Sequence, residues 1–440
     1  MLHLQSTDIR RCLLQGKFGL EKEGLRVLAD GTMSHTPHPF GSSSHITRDF
    51  SENQTEINTS AEPSAEGAVL ALAAYSRQMQ RVLREFPQRE YIWPFSNPPF
   101  LRGEDDIPIA QFTGDLRSKT DYREYLSGRY GRYKMTFSGI HVNYSFSDEL
   151  LKHEFCQRGS GRSRSFRDSF YLELAEKAAA YGWLLVILTA ASPVLDASYF
   201  ERDRTGGSGA PEGRDVFSGM ASVRCSELGY WNAFTPVFDY TNVQRYVDGI
   251  QRYVDDGILY SASELYYPVR LKPKGENSLE ALRDGGIDHI ELRMFDLNPL
   301  EEAGLDIRDV RFAQLFLVWL ASMPRRVMTP LDQITAVQNF KNAAHYDLDT
   351  VRIEMHGMSE RGDSLPAAEA ARHVMGQIMD FYRPLAPELP GEVWPILEFE
   401  NRKLTHPETR YAYRVREQFS GTFLQKGMEH ACRIQDKICG

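Results

Sequence analysis

Apolar and polar positions alternate with a period of two at four places along the chain, and follow a helical period over much of the rest. The first alternation covers residues 17–27, Lys-Phe-Gly-Leu-Glu-Lys-Glu-Gly-Leu-Arg-Val, and ends in the turn signal Ala29-Asp30-Gly31. Residues two apart on a strand share a face at about 7 Å, so Glu21 and Glu23 project side by side. A loop over residues 35–44 leads to a second stretch, residues 46–57. There Asp49 and Glu56 are an odd number of residues apart, so they share a face only if the chain turns or bulges near Ser51-Glu52-Asn53. Residues 134–146 alternate most regularly, with Ile140, Val142, Tyr144 and Phe146 on one face and His141, Asn143 and Ser145 on the other. A fourth strand is predicted over residues 284–296, with Ile290, Leu292 and Met294 opposed to Glu291 and Arg293.

Between these strands the period becomes helical. Residues 64–86 carry the stripe Val69, Leu72, Ala73, Met79, Val82 and Leu83, and a short polar helix is predicted over residues 119–130. Residues 178–191 are apolar on every side and read as a buried core helix stopped by Ser192-Pro193, too short for the roughly 20 residues a bilayer requires. The echo Gln-Arg-Tyr-Val-Asp at 244 and again at 251 predicts a helix that buries Val247, Ile250 and Val254. Residues 310–320 begin a helical region running from about residue 300 to 440. Segments 157–164 and 203–213 are Gly-rich and read as loops; the second lacks the Gly-Lys-Ser/Thr ending of a phosphate-binding loop. Without a Pro/Ser-rich linker between them, these strands and helices predict one large domain with insertions, spanning residues 1–440.

Composition narrows the function. With 51 Lys and Arg against 60 Asp and Glu, the net charge of -9 offers no basic face for general nucleic-acid binding. Five cysteines without CxxC spacing indicate neither a disulfide framework nor a zinc site, and fit a reducing cytoplasm. The first eleven residues lack the apolar core of a secretory signal and read as the start of a mature protein, with no membrane partner expected.

The chemistry is concentrated in four polar pairs at spacing two: Glu21/Glu23, Gln54/Glu56, His141/Asn143 and Glu291/Arg293. Each pair alone is what a solvated sheet face produces. Together they bring carboxylates, an imidazole and a guanidinium onto rigid elements, the way a metal-phosphate site is assembled from distant sequence. Two unit charges 4 Å apart repel by about 4 kcal/mol at an effective dielectric near 20, so a cation is expected among them, and oxygen-seeking magnesium is the natural candidate.

These stretches also carry a resemblance. Phe18-Gly-Leu-Glu-Lys-Glu-Gly-Leu-Arg-Val27, Asp49-Phe-Ser-Glu-Asn-Gln-Thr-Glu56, Ser138-Gly-Ile-His-Val-Asn143 and Glu291-Leu-Arg-Met-Phe-Asp-Leu-Asn-Pro299 resemble the bacterial glutamate-cysteine ligases. Ile92-Trp-Pro94, Tyr122-Arg-Glu124, Arg224-Cys-Ser-Glu-Leu-Gly-Tyr230 and Glu264-Leu-Tyr266 follow in the same order, so the likeness covers roughly residues 15–320. The first two motifs are worded most like the ligase half of the bifunctional glutathione-synthesising enzymes. With the sequence reaching Gly440, no second, ATP-grasp domain is expected.

The resemblance implies an α+β fold of the glutamine-synthetase type, a curved antiparallel sheet enclosing the active site with helices outside. It implies an enzyme that joins the γ-carboxyl of L-glutamate to the amine of L-cysteine through a γ-glutamyl phosphate, with ATP as co-substrate. By motif position Glu21, Glu23, Asp49, Glu56, His141 and Glu291 would hold two or three Mg2+ ions, with Mn2+ as a substitute. Arg293 would meet the nucleotide and the transferred phosphoryl group, Arg123 would share that task, and Asp49 would also accept the proton of the incoming amine. Tyr122, Arg224, Tyr230 and Tyr266 would receive the acceptor, with Phe50 and Phe137 closing its side-chain pocket. Arg224 suits an amino-acid carboxylate because its planar fork donates two parallel hydrogen bonds. Gly139, just before His141, is expected to allow close approach of another group. Three other readings stay open: the same ligation with a different acceptor amine, a guanidino-type phosphotransferase, and a non-catalytic nucleotide-binding protein.

Overall fold

A strand that is greasy on one side and charged on the other specifies a sheet with one face against the core and one face free for chemistry. In the computed structural model, which describes residues 2–41, 43–158, 163–200, 214–355 and 364–439, seven antiparallel strands form that sheet. They are β1 (Gly16–Val27), β2 (Ile46–Arg48), β3 (Gln54–Asn58), β4 (Tyr91–Ile92), β5 (Gly139–Phe146), β6 (Val269–Lys272) and β7 (His289–Asp296). The spatial order is β2-β3-β1-β5-β7-β6, with β4 paired to the far end of β1.

Apolar side chains from each of the four alternations meet on one face of the sheet. Phe18, Leu20, Ile57, Val142, Tyr144, Val269, Leu271, Ile290 and Leu292 enter one hydrophobic core. Helices cover that face: Ala65–Arg84, Ser163–Tyr181, Trp183–Thr189 and Ile307–Ser322 all contribute buried residues to it. The first of these starts at residue 65 because the Ser64 side chain caps it, accepting from the Gly67 N–H at 3.0 Å. Further helices follow to the C-terminus, among them Pro330–Ala343, Ala367–Tyr382, Val393–Thr405 and Phe423–Cys439. A second apolar cluster, built on Leu25, Trp93, Phe95, Phe137, Tyr199 and Phe423, lies beyond the polar end of β1.

Several elements differ from the sequence expectation. Residues 134–137 are not strand: Tyr133–Thr136 is a 3-10 turn, held by the Thr136 hydroxyl on the Tyr133 carbonyl at 2.6 Å, and β5 begins at Gly139. The apolar run at 178–191 is split between two helices at Gly182, where a Cβ would stand 2.6 Å from the Ala178 carbonyl and 2.7 Å from the Phe340 ring. Residues 284 and 285 end the helix Leu279–Gly285 rather than opening a strand. In the helix Val243–Asp255, Val247 and Ile250 are buried but Val254 is only half-buried. Gln157 and Arg158 complete the helix Asp148–Arg158, and Ser163 and Arg164 open the next; residues 159–162 and 203–213 lie outside the described residues.

Candidate active site

Register, not sequence proximity, assembles the site. Glu21 on β1 stands opposite His141 on β5, Glu23 opposite Glu56 on β3, and Asn143 on β5 opposite Glu291 on β7. Four adjacent strands thus present a row of acids and one imidazole across the sheet, at the ladder spacing of about 4.8 Å. The Asp49 problem of parity is solved by a tight hairpin: Gln54 N–H bonds to Ser51 O and Asp49 N–H to Gln54 O, both at 3.0 Å. Asp49 therefore lies just past the end of β2, on the same cavity as Glu56.

Short contacts tie the row together. His141 Nδ1 is 2.8 Å from Glu21 Oε2, Asn143 Nδ2 donates to Glu21 Oε1 at 3.0 Å, and Gly139 N–H donates to Glu23 Oε2 at 2.8 Å. Glu291 is wholly buried, with Arg293 NH1 and Lys272 Nζ each 3.2 Å from its Oε1 and His141 Nδ1 at 3.7 Å. Ligand atoms of Glu21, His141 and Glu291 all lie within 4.8 Å of one another.

The charges divide into two groups. Burial would raise Glu291, yet Arg293, Lys272 and His141 outweigh it and hold the carboxyl well below the ordinary range. Glu21 is likewise lowered, since the His141 bond and charge overcome burial and the repulsion of Glu291. Glu56 goes the other way: burial and then the charges of Asp49, Glu21 and Glu23 push it well up, and burial and Asp49 raise Glu23. A set of carboxylate oxygens with a single imidazole nitrogen fits a hard divalent cation. The fit has a direct sign: Glu291 Oε2 is buried and makes no hydrogen bond.

The row opens onto a cavity of about 430 Å³. Every residue given a role by the resemblance lines it except Glu291, which sits behind its wall; of the polar pairs, Gln54 and Asn143 do not line it either. An irregularity of register shapes that wall, because Ile140 pairs with Phe295 and Val142 with Leu292, leaving His141 opposite both Arg293 and Met294. This bulge breaks the predicted alternation, and Met294 lines the cavity beside Arg293.

Sequence reasoning missed most of the positive charge. Among the described residues, eight Lys and Arg side chains line the cavity against four carboxylates, a positive well in a chain of net charge -9. Arg270 and Lys272 were legible as a polar pair at spacing two on β6, and Arg270 pairs with Glu291 across the ladder. Arg48 and Lys119 left no such signal, and Arg123 is marked only by the family motif around Tyr122; the three are neighbours in the fold. They gather over one face-forming ring, Phe112, at 4.3, 5.6 and 4.9 Å from its centroid. Arg123 also donates through Nε to the Asp49 carbonyl.

The aromatic candidates line the same cavity, with Tyr122 next to Arg123 on one helix. Tyr230 and Tyr266 have ring centroids 3.7 Å apart, and the Tyr122 and Tyr266 hydroxyls are 3.5 Å apart. Burial raises all three phenols, so they stay protonated. Arg224 NH2 donates to the Arg293 carbonyl at 2.6 Å, which fixes the guanidinium among the groups lining the cavity. Phe50 and Phe137 complete the lining.

Comparison with known proteins places this geometry. The family model described as glutamate-cysteine ligase matches residues 1–256 and 233–343. The chain belongs to the glutamate-cysteine ligase family. Among family relatives, a glutamate-cysteine ligase of Clostridium acetobutylicum is 34% identical over 364 residues, covering 72% of this chain and 74% of the relative. The bifunctional glutathione biosynthesis protein GshAB of Listeria monocytogenes serovar 1/2a is 31% identical over 422 residues, covering 94% of this chain. The chain spans about half, 53%, of that bifunctional relative's length. The crystal structure of a bifunctional glutathione synthetase from Pasteurella multocida superimposes with a TM-score of 0.81 at 27% identity, over 99% of this chain and 54% of that one. A glutamate-cysteine ligase from Francisella tularensis, crystallised with AMP, shares the fold with a TM-score of 0.84 at 22% identity, over 96% of this chain and 89% of that one. The mixed arrangement of helices and antiparallel sheet is therefore that of glutamate-cysteine ligases. No helix of the described residues is long and apolar enough to cross a membrane.

Proposed function

We propose that the protein is an ATP-dependent ligase joining the γ-carboxyl of L-glutamate to the amine of L-cysteine, giving γ-glutamylcysteine, ADP and phosphate. The observation that carries this reading is the row Glu56, Glu23, Glu21 and His141 facing a cavity, with Glu291 buried behind its wall, while the other charged side chains lining that cavity are cationic apart from Asp49. The curved sheet is read as the glutamine-synthetase type, within one catalytic domain whose helical C-terminal region starts near residue 300. A cytoplasmic setting, where ATP and free amino acids are abundant, suits such an enzyme.

A carboxylate is a poor electrophile, and phosphorylation remedies this. A γ-carboxylate oxygen of glutamate attacks the terminal phosphorus of ATP, the bond to the bridging oxygen breaks, and ADP leaves. The amine nitrogen then attacks the acyl carbon, the C–N bond forms, the C–O bond breaks and phosphate departs. Both steps place negative charge on phosphoryl oxygens, and fixed cations in a desolvated site stabilise it. Arg293, kept charged by Glu291, Glu21 and Glu23 despite burial, lies beside the row to meet the transferred group. Arg123, on the same cavity and bonded to the Asp49 carbonyl, shares the charge.

Glu21, Glu23, Asp49, Glu56, His141 and Glu291 would hold divalent magnesium. When bound, the ion supplies Lewis-acid neutralisation of phosphoryl oxygens. Asp49 lies at the aromatic end of the acidic row and takes the proton from the incoming ammonium. Arg224 pairs with the acceptor carboxylate, while Tyr122, Tyr230, Tyr266, Phe50 and Phe137 enclose its side chain.

Phosphate release from ATP, Mg2+ and glutamate, followed with cysteine and with a panel of other amines, tests this reading. Cysteine-dependent release with γ-glutamylcysteine as product supports it. Release with another amine alone reassigns the acceptor, and phosphoryl transfer to a guanidine without an amide product rejects it.

A further inference from the structure

The aromatic part of the cavity is built from three segments far apart in sequence. Tyr122 lies on the helix Arg117–Tyr130, Tyr230 in the stretch after Arg224, and Tyr266 just before β6. Each segment also sends one side chain into a second cluster behind them. Tyr130 is two helical turns beyond Tyr122, Asn232 two residues beyond Tyr230, and Glu264 two residues before Tyr266. None of these three lines the cavity.

Their hydrogen bonds join all three segments. The Tyr130 hydroxyl donates to Glu264 Oε1 at 2.7 Å and accepts from Asn232 Nδ2 at 3.2 Å. Asn232 Nδ2 also donates to the Glu264 carbonyl at 2.8 Å, and its Oδ1 accepts the Tyr266 N–H at 2.8 Å. Glu264 Oε2 accepts the Tyr260 N–H at 2.6 Å, and Arg129 Nε lies 3.2 Å from Glu264 Oε1. The Tyr130 ring packs edge-on against Tyr230 and Tyr266 at centroid distances of 5.2 and 6.3 Å, while Tyr260 stacks on Tyr122 at 5.7 Å.

A wholly buried carboxylate is an expensive way to join segments, since an apolar contact of the same volume avoids the desolvation cost. A fully bonded polar network provides something apolar packing lacks, a single permitted geometry. We propose that Tyr130, Asn232 and Glu264 are positioning residues that fix Tyr122, Tyr230 and Tyr266 relative to one another, and thereby set which α-amino acid the cavity accepts as the amine. The proposal rests on the ligase reading above. It adds that selectivity for a small amino acid is controlled from behind the pocket, because discrimination by shape depends on placement within fractions of an ångström.

The test separates pocket-dependent from pocket-independent capture of the acyl phosphate. Hydroxylamine has no carboxylate or side chain for the tyrosines to grip. Its nitrogen attacks the acyl carbon, the C–O bond breaks, phosphate leaves, and a nitrogen proton passes to water, giving γ-glutamyl hydroxamate. Tyr130→Phe removes one hydroxyl and keeps the ring; Glu264→Gln keeps the shape and removes the charge. In both full-length variants the KM for cysteine should rise about tenfold and the preference for cysteine over larger amino acids should shrink. The KM for ATP and the hydroxamate rate should stay within about twofold of the parent. An unchanged cysteine KM and preference in both variants overturns the proposal, as does loss of cysteine and hydroxylamine turnover in equal proportion. If the parent protein makes no hydroxamate from ATP, glutamate and hydroxylamine, the ligase reading itself fails, and this proposal with it.

Discussion

The guanidinium of Arg224 passes so close to Gly139 that a Cβ on that glycine would stand 2.2 Å from Arg224 Cζ. The same Gly139 donates its N–H to Glu23, so one residue joins the acceptor end of the cavity to the acidic row. Gly139→Ala should force the guanidinium away from the Arg293 carbonyl while costing about 1–3 kcal/mol in stability through overpacking. Steady-state kinetics should show the acceptor KM raised about tenfold, as expected for loss of a charged hydrogen-bond pair, with the ATP KM nearly unchanged. An acceptor KM equal to the parent's would remove Arg224 from carboxylate recognition.

Glu291 carries the site's only wholly buried carboxylate among the proposed ligands, and Lys272 and Arg293 both lean on it. Glu291→Ala should lower turnover by at least about 10²-fold, because each group that neutralises or orients a transferred phosphoryl is worth several kcal/mol. Circular dichroism should show the fold retained. Parent-level turnover would mean the site has been misplaced.

Asp49 is assigned a role in the second chemical step only. Asp49→Asn should keep γ-glutamyl phosphate formation, read as hydroxamate at high hydroxylamine, while slowing capture by cysteine by about 10²-fold, a typical general-base contribution. Normal cysteine turnover in a variant that still binds Mg2+ would refute the role.

The raised Glu56 carboxyl makes the protein's response to pH depend on metal. Its native pKa lies above the ordinary 4.5, so the folded chain binds that proton more tightly than the unfolded chain. The resulting stabilisation is complete below pH 4.5 and is lost as pH rises through the native value. Magnesium favours the ionised form, so its affinity should rise with pH, with protons released on binding. In metal-free protein, the melting temperature should fall with rising pH more steeply than in Glu56→Gln, and Mg2+ should restore it. Calorimetric titration in buffers of different ionisation heat measures the protons released. A magnesium affinity independent of pH between about 5 and 8 would contradict this.

What the sequence made legible was whatever depends on local spacing. Period two placed Glu21 with Glu23 and Glu291 with Arg293 on one face; odd parity between Asp49 and Glu56 demanded the turn at Ser51-Glu52-Asn53; Gly139 marked a close approach. What stayed hidden depends on pairing and packing across long separations. The bulge opposite His141 arises only when β5 meets β7, and the cation cluster on Phe112 only when the helix Arg117–Tyr130 folds over the β2 hairpin. Gly182 divides a run that composition alone reads as continuous, because the Phe340 ring occupies the space a side chain would need. Arg270 and Lys272 stand two apart in the sequence, but only the β6–β7 ladder brings them to Glu291.

Ligation through a γ-glutamyl phosphate requires a carboxylate oxygen of glutamate to become an oxygen of the released phosphate. Glutamate labelled with 18O in its γ-carboxyl, incubated with ATP, Mg2+ and cysteine, measures this directly by mass spectrometry of the products. The expected result is one labelled oxygen in each phosphate and one retained in the amide of γ-glutamylcysteine. Phosphate free of label, or phosphate formed without an amide product, would contradict that route.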